Sequence, residues 1–397
     1  MDCFNRAKAL QEEIVAHRRA LHQIPELQLE LPKTVAYLRR ALEECEISYE
    51  LLVDGNAIVA TVGTGQSPCI AIRADMDALP IEEETGLPFS SLHKGCMHAC
   101  GHDGHAAMAL VAAKILKERE KELEGTVKIF FQPGEEIPGG AYPMIQEGCM
   151  ENPKVEAIVG LHEGGILTGV PCGSIGIRAG SMFASMDRFS IEVFGKGGHG
   201  AQPHQGVDPI QILSEINMGL QKIISRELPP TTPGLISVCQ IHGGTTQNII
   251  PDSVWEEGTA RALSREAQDL IETRVKEISE GIAKAYRGRA EVNYERFYPV
   301  LINDEDFTAF FEDIAVEALG RDKVVRLLEP TMGGEDMAFF LQEVPGTYFL
   351  LSNAKVHEDG TVYPHHNSRF DVDEDQFYKG TGLLAETCWR YLKGGTQ

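Results

Sequence analysis

No stretch of this sequence approaches the roughly 18 consecutive apolar residues that a bilayer crossing needs; the longest runs, such as 106–113, fall far short. An apolar leader is missing too. Met1-Asp2-Cys3-Phe4-Asn5-Arg6 mixes acid and base where a secretory signal is hydrophobic, so secretion is not expected. Cationic excess is also lacking: Lys plus Arg number 36 against 59 Asp plus Glu, a scattered net charge of −23. Nucleic acid as a partner needs the opposite sign, and the acidity reads as solubility. Nine cysteines, an odd number without regular spacing, make no disulfide framework and fit a reducing cytoplasm. Low-complexity segments and short repeats are absent. So are H-E-x-x-H, the G-K-[ST] phosphate loop, the G-x-S-x-G elbow and the deaminase pairing of H-x-E with P-C-x-x-C in their expected contexts.

What is present is an ordinary globular composition, 43% hydrophobic and 24% charged over 397 residues. That length implies roughly two or three domains. Phe4, Ala7, Leu10, Ile14 and Leu21 fall on one helical face of 2–23, and a second helix follows Pro32 as far as Glu44. Continuous apolar runs at 57–62 and 69–72 read as strands buried on two faces. A helix over 105–117, then strands over 126–131 and 155–161, predict an α/β sheet with helices on both faces. Between 183 and 297 the texture changes. Residues 188–193 alternate polar and apolar, followed by a helix (208–226), strands (235–241, 254–262), a helix (265–286) and a strand (290–296). That β-α-β-β-α-β order predicts a ferredoxin-like α+β domain of about 110 residues inserted into the larger one. The larger α/β domain then comprises 1–182 and 298–397, the second part with a helix at 305–319, a strand at 347–351 and a helix at 375–392.

Three histidines and two cysteines fall within 11 residues in Gly95-Cys96-Met97-His98-Ala99-Cys100-Gly101-His102-Asp103-Gly104-His105. Glycines let such a cluster gather round one point, which suits a metal ion. Asp103 is expected to cap the following helix, leaving Cys100 and His102 on the loop before it, where the helix dipole favours a thiolate. His98 and His105 read equally well as ligands or as structural residues. Phe131-Gln132-Pro133-Gly134-Glu135-Glu136 follows a buried strand, at the sheet edge where α/β proteins place ligands. Two adjacent carboxylates there can divide metal holding from proton handling. Asp75, Asp77, Glu136 and His162 all project from the carboxyl ends of strands. By contrast, Glu82-Glu83-Glu84 reads as a solvated loop, and Gly195-Lys196-Gly197-Gly198-His199-Gly200 lacks phosphate-loop spacing.

Taken together, Leu21-His22-Gln23-Ile24-Pro25-Glu26-Leu27, Arg73-Ala74-Asp75-Met76-Asp77-Ala78-Leu79-Pro80, the 97–105 cluster and 131–136 resemble the metal-dependent amidohydrolases of the aminoacylase and glutamate carboxypeptidase superfamily. Gly197-Gly198-His199, Asn248-Ile249-Ile250-Pro251-Asp252 and Met332-Gly333-Gly334-Glu335-Asp336 extend the match, which is to the hippurate hydrolase and indoleacetyl-amino-acid hydrolase branch. The resemblance implies metal ligands at Cys100, His102, Glu136, His162 and His366, His366 being preferred to His365 because it stands four residues before the aromatic Phe370. It implies Glu135 as general base, and Gly134 where relatives commonly have alanine. His199 and Asn248 match substrate contacts on a domain that serves as lid and dimerisation surface.

The activity so implied is hydrolysis of the amide bond of N-acyl amino acids with one or two divalent ions per subunit, zinc or manganese. A thiolate among imidazoles and a carboxylate favours zinc over magnesium or calcium. The expected molecule is a cytoplasmic homodimer or higher homo-oligomer with a small-molecule substrate and neither nucleic acid nor membrane as partner. A dipeptidase or carboxypeptidase on the same scaffold, or a metal-bearing binding protein without turnover, is the alternative.

Overall fold

The computed structural model describes residues 2–166 and 169–394. The chain divides into two compact units, the first comprising Met1–Gly180, Ile302–Glu329 and Asp336–Gln397, the second Ser181–Leu301 and Pro330–Glu335.

The first unit is built on an eight-stranded mixed sheet. In spatial order its strands are Ser48–Leu52, Ala57–Gly63, Thr126–Gln132, Cys69–Asp75, Ala157–Gly164, Gly346–Ser352, Ile175–Ile177 and Val324–Arg326. The four central strands, 126–132, 69–75, 157–164 and 346–352, run parallel, so their carboxyl ends share one edge. All four are buried from end to end, as the apolar runs require. Their side chains alternate between faces. Phe131 joins the large core cluster with the helix His102–Glu118, while its neighbour Phe130 packs on Phe340 of the helix Met337–Glu343, ring centroids 5.4 Å apart. Helices therefore cover both faces. The helix 102–118 is buried almost all round through its Ala106–Ala113 run, whose small side chains permit close approach. Each large apolar side chain so buried contributes about 1.5–3 kcal/mol.

The predicted first helix is in fact two, Cys3–Ala9 and Gln11–His22, broken at Leu10. Short elements at Ala141–Gln146 and Met337–Glu343 were not legible in the pattern.

The second unit has a four-stranded antiparallel sheet ordered Gly234–Gly243, Ser253–Ala262, Met186–Phe194, Arg289–Tyr298, with helices Pro209–Lys222 and Arg265–Ala285 between strands in sequence. Its own core joins Phe189, Ile191, Val193, Ile216, Leu220, Ile271 and Val275. A separate pair, Gly198–His199 with Ile249–Ile250, places His199 opposite Ile249.

Candidate metal centre

The sheet's shared carboxyl edge decides where the chemistry collects. Asp75 ends one central strand, Glu135 and Glu136 follow the next by three and four residues, and His162 lies near the end of a third. The segments are tied to one another by backbone. The Met76 N–H donates to Gln132 O at 2.9 Å, Ala78 N–H to Glu26 O at 2.8 Å, and Leu79 exchanges two 3.0 Å bonds with Met97. Four stretches, at Glu26, 76–79, Met97 and Gln132, are thereby fixed round one point.

Cys100 is buried there. Its Sγ stands 3.5 Å from His162 Nε2 and 3.7 Å from His365 Nδ1. One group of donor atoms, from Cys100, His102 and Glu136, lies within 4.8 Å of one another, and so does a second from Cys100, His162 and His365. His366 Nε2 is 3.1 Å from Glu136 Oε1, and Glu135 Oε2 is 4.0 Å from His102 Nε2. Cys100, His102, Glu136, His162 and His366, together with Glu135, are thus contiguous. His199 and Asn248 belong to the second unit, where both are exposed and side by side, the Gly200 N–H donating to Asn248 O at 2.9 Å. The His199 ring accepts Ala201 N–H on Nδ1 at 3.0 Å, which leaves the proton on Nε2.

Neighbouring hydrogen bonds set each imidazole. The His162 Nδ1–H donates to Glu163 O at 2.8 Å, so its Nε2 lone pair faces Cys100. The His105 Nε2 accepts Glu163 N–H at 2.9 Å, so Nδ1 carries the proton and donates to Asp75 Oδ1 at 2.6 Å. That clasp makes His105 structural. Asp77 accepts the backbone N–H groups of Glu135 (2.9 Å) and Glu136 (3.1 Å), and its Oδ1 lies 3.3 Å from His102 Nδ1. Beneath it, Arg73 donates to Asp75, Gln132 and Asp336, all buried.

Charge follows from this crowding. Burial, then Glu136, Glu135 and Asp75, push the Cys100 thiol well above its ordinary range. Against the penalty of burial, Asp75 and Asp77 push His102 up to about 10. Burial, then His105 and His365, hold His162 well below its usual value, so it is neutral.

Residues 71–390 match the sequence profile of peptidase family M20/M25/M40.

The chain belongs to that family.

It is 37% identical over 386 residues to the N-acetyl-L-cysteine deacetylase of Bacillus subtilis, covering 96% of this chain and 89% of that one. An IAA-amino acid hydrolase ILR1-like 4 of Arabidopsis thaliana is 37% identical, with 96% and 86% covered. Thermostable carboxypeptidase 1 of Saccharolobus solfataricus is 38% identical, with 96% of each covered. Among solved structures, the YXEP protein of Bacillus subtilis, a dinuclear metal binding peptidase from the M20 family, superposes with a TM-score of 0.83 at 34% identity, covering 97% and 99%. As a member of this family the chain is a metal-dependent amidohydrolase.

The M20 chain's own atoms fit a divalent ion. Buried His102 Nε2 has no hydrogen-bond partner among the described residues, an arrangement that costs stability unless something pairs with it. A thiol and carboxylates packed this closely need a cation to be ionised together.

Two expectations are corrected. Asp103 does not cap the helix; His102 opens it after Gly101, whose φ is +88°. Instead the Asp103 Oδ2, buried, takes Arg18 Nε–H at 2.8 Å and His22 Nδ1 at 2.7 Å. Glu83 is not a solvated residue: its side chain is 4% exposed and accepts Ser91 N–H at 2.6 Å, with His22 Nε2 3.4 Å away. Gly134 has a φ of +68°, and a Cβ there would stand 2.7 Å from Leu29 Cδ2, so glycine suits the position. The role of Asp77 was not read from the sequence, since a carboxylate that accepts backbone N–H groups leaves no spacing signature.

Proposed function

We propose that this M20 chain hydrolyses the amide bond of N-acyl amino acids, releasing a carboxylic acid and a free amino acid. The observation that carries the reading is the buried Glu135 carboxylate, 4.0 Å from His102 and next in sequence to Glu136 of the donor cluster. Cys100, His102, Glu136, His162 and His366 hold the metal. One or two ions, zinc or manganese, are accommodated. When bound, a divalent ion polarises the scissile carbonyl and brings the pKa of water from about 15.7 toward about 7.

Glu135 takes the proton from the attacking water and passes it to the departing amine nitrogen. Asp77 keeps Glu135 and Glu136 in place through their backbone N–H groups. The span 1–182 with 298–397 forms the catalytic domain, and 183–297 an inserted ferredoxin-like lid and dimerisation domain. The two compact units support that division. His199, with Nε2–H exposed, and Asn248 contact the substrate, and closure of such a lid excludes water. The enzyme is a homodimer or higher homo-oligomer of the cytoplasm; its nine unpaired cysteines support a reducing compartment.

A second reading, removal of a C-terminal amino acid from peptides, is favoured by the carboxypeptidase relative. Mass-spectrometric screening of the metal-loaded chain against mixed N-acyl amino acids and free-amine dipeptides separates them. Turnover of the acyl compounds is expected; turnover of the dipeptides alone would favour the second reading.

A further inference from the structure

His365 stands outside the ligand set proposed above, yet its ring lies against it. The Nδ1 atom is 3.7 Å from Cys100 Sγ, and the ring centroid is 5.1 Å from that of His162. The other nitrogen, Nε2, accepts the backbone N–H of Gly165 at 3.2 Å. A neutral imidazole has a single N–H, and a nitrogen that accepts cannot carry it. The proton therefore sits on Nδ1, the atom that faces the sulfur.

The ring occupies a fitted place. Gly164 lies beneath it with a φ of +101°, and a Cβ there would stand 2.3 Å from His365 Nε2. Any side chain at 164 would push the ring away from Cys100. Buried Phe370 packs against the same ring with centroids 4.7 Å apart.

We propose that His365 is a positioning residue that donates its Nδ1–H to the Cys100 sulfur and is not a metal ligand. The inference rests on the reading of Cys100 as a metal-binding thiolate. Binding an ion would require a lone pair on Nδ1, which the bond from Gly165 denies it. His366 by contrast directs Nε2 at Glu136 Oε1, 3.1 Å away. The hydrogen bond draws electron density from the sulfur, so that moving an electron from sulfur to metal takes more energy.

The test uses the full chain loaded with cobalt(II), reading the sulfur-to-cobalt charge-transfer band and the ion count for wild type, His365→Leu and His365→Asn. Asparagine is chosen because its Nδ2–H stands in for the ring Nδ1–H. Leucine should keep the ion count, move the band to longer wavelength and weaken cobalt binding about 10–100-fold. Asparagine should return the band to its wild-type position. Loss of an ion in His365→Leu would make His365 a ligand and overturn the proposal, as would an unmoved band. Equal displacement in both variants would also overturn it, because ring shape rather than the donor would then matter. A wild-type protein with no sulfur-to-cobalt band would refute the reading of Cys100 itself, a result distinguishable because it appears before any substitution.

Discussion

The carboxylate of Asp77 accepts the backbone N–H of Glu135 at 2.9 Å, so the position of the proposed base is set by a residue 58 places earlier in the chain. The same group accepts from Glu136 at 3.1 Å and lies beside His102. One buried side chain thus fixes the base and two proposed ligands.

Replacing Asp77 by Asn puts an amide N–H₂ against one of those backbone donors. We expect kcat to fall about 10–100-fold, the range found when groups that orient ligands are altered. Steady-state kinetics with a fold check by circular dichroism reads this, and a near-normal kcat would remove Asp77 from the role.

Glu135→Gln keeps the shape and removes the base. Metal content by elemental analysis should be unchanged while kcat drops about 10²–10⁴-fold. Lost metal would instead make Glu135 a ligand.

Gly104 sits in the first turn of the helix 102–118, where an added Cβ would stand 2.0 Å from Glu163 Oε1. Overfilling of this kind costs about 1–3 kcal/mol. Urea unfolding of Gly104→Ala should show that loss, and adding Glu163→Ala should recover part of it, because the two sites share one contact. Additive losses would contradict the argument.

In the second unit, Glu256 is buried, with Oε1 unpartnered among the described residues and Asn217 Nδ2 3.4 Å from Oε2. Burial pushes its carboxyl up to about 7 from an ordinary 4.5. The folded state therefore holds the proton more tightly than the unfolded one. Stability is fully present below about pH 4.5 and is lost as pH rises through about 7. Glu256→Gln, which mimics the protonated form, should raise Tm relative to wild type at pH 8 and leave it unchanged at pH 4. Equal shifts at both pH values would contradict this.

Much of this architecture could be read in advance. The helix Glu305–Leu319 has the bounds expected from its periodicity, and the fully buried central strands announce themselves as continuous apolar runs. The edge strand Ser48–Leu52 does not, because its residues are largely exposed and polar. Ile175–Ile177 and Val324–Arg326 are only three residues long, too short for any periodicity. The donor residues were legible as a cluster of types, but the tautomers of His105, His162 and His365 were not. Those of His105 and His365 depend on backbone N–H groups that only the fold brings near, and that of His162 on the conformation that turns its ring to the neighbouring carbonyl. The same holds for Asp103, whose partners Arg18 and His22 lie more than 80 residues away in sequence.

Anomalous X-ray scattering from crystals of the metal-loaded protein locates bound ions without reference to activity. The account predicts anomalous density among Cys100, His102, Glu136, His162 and His366. Ions lodged elsewhere, or none at that position in loaded crystals, would contradict it.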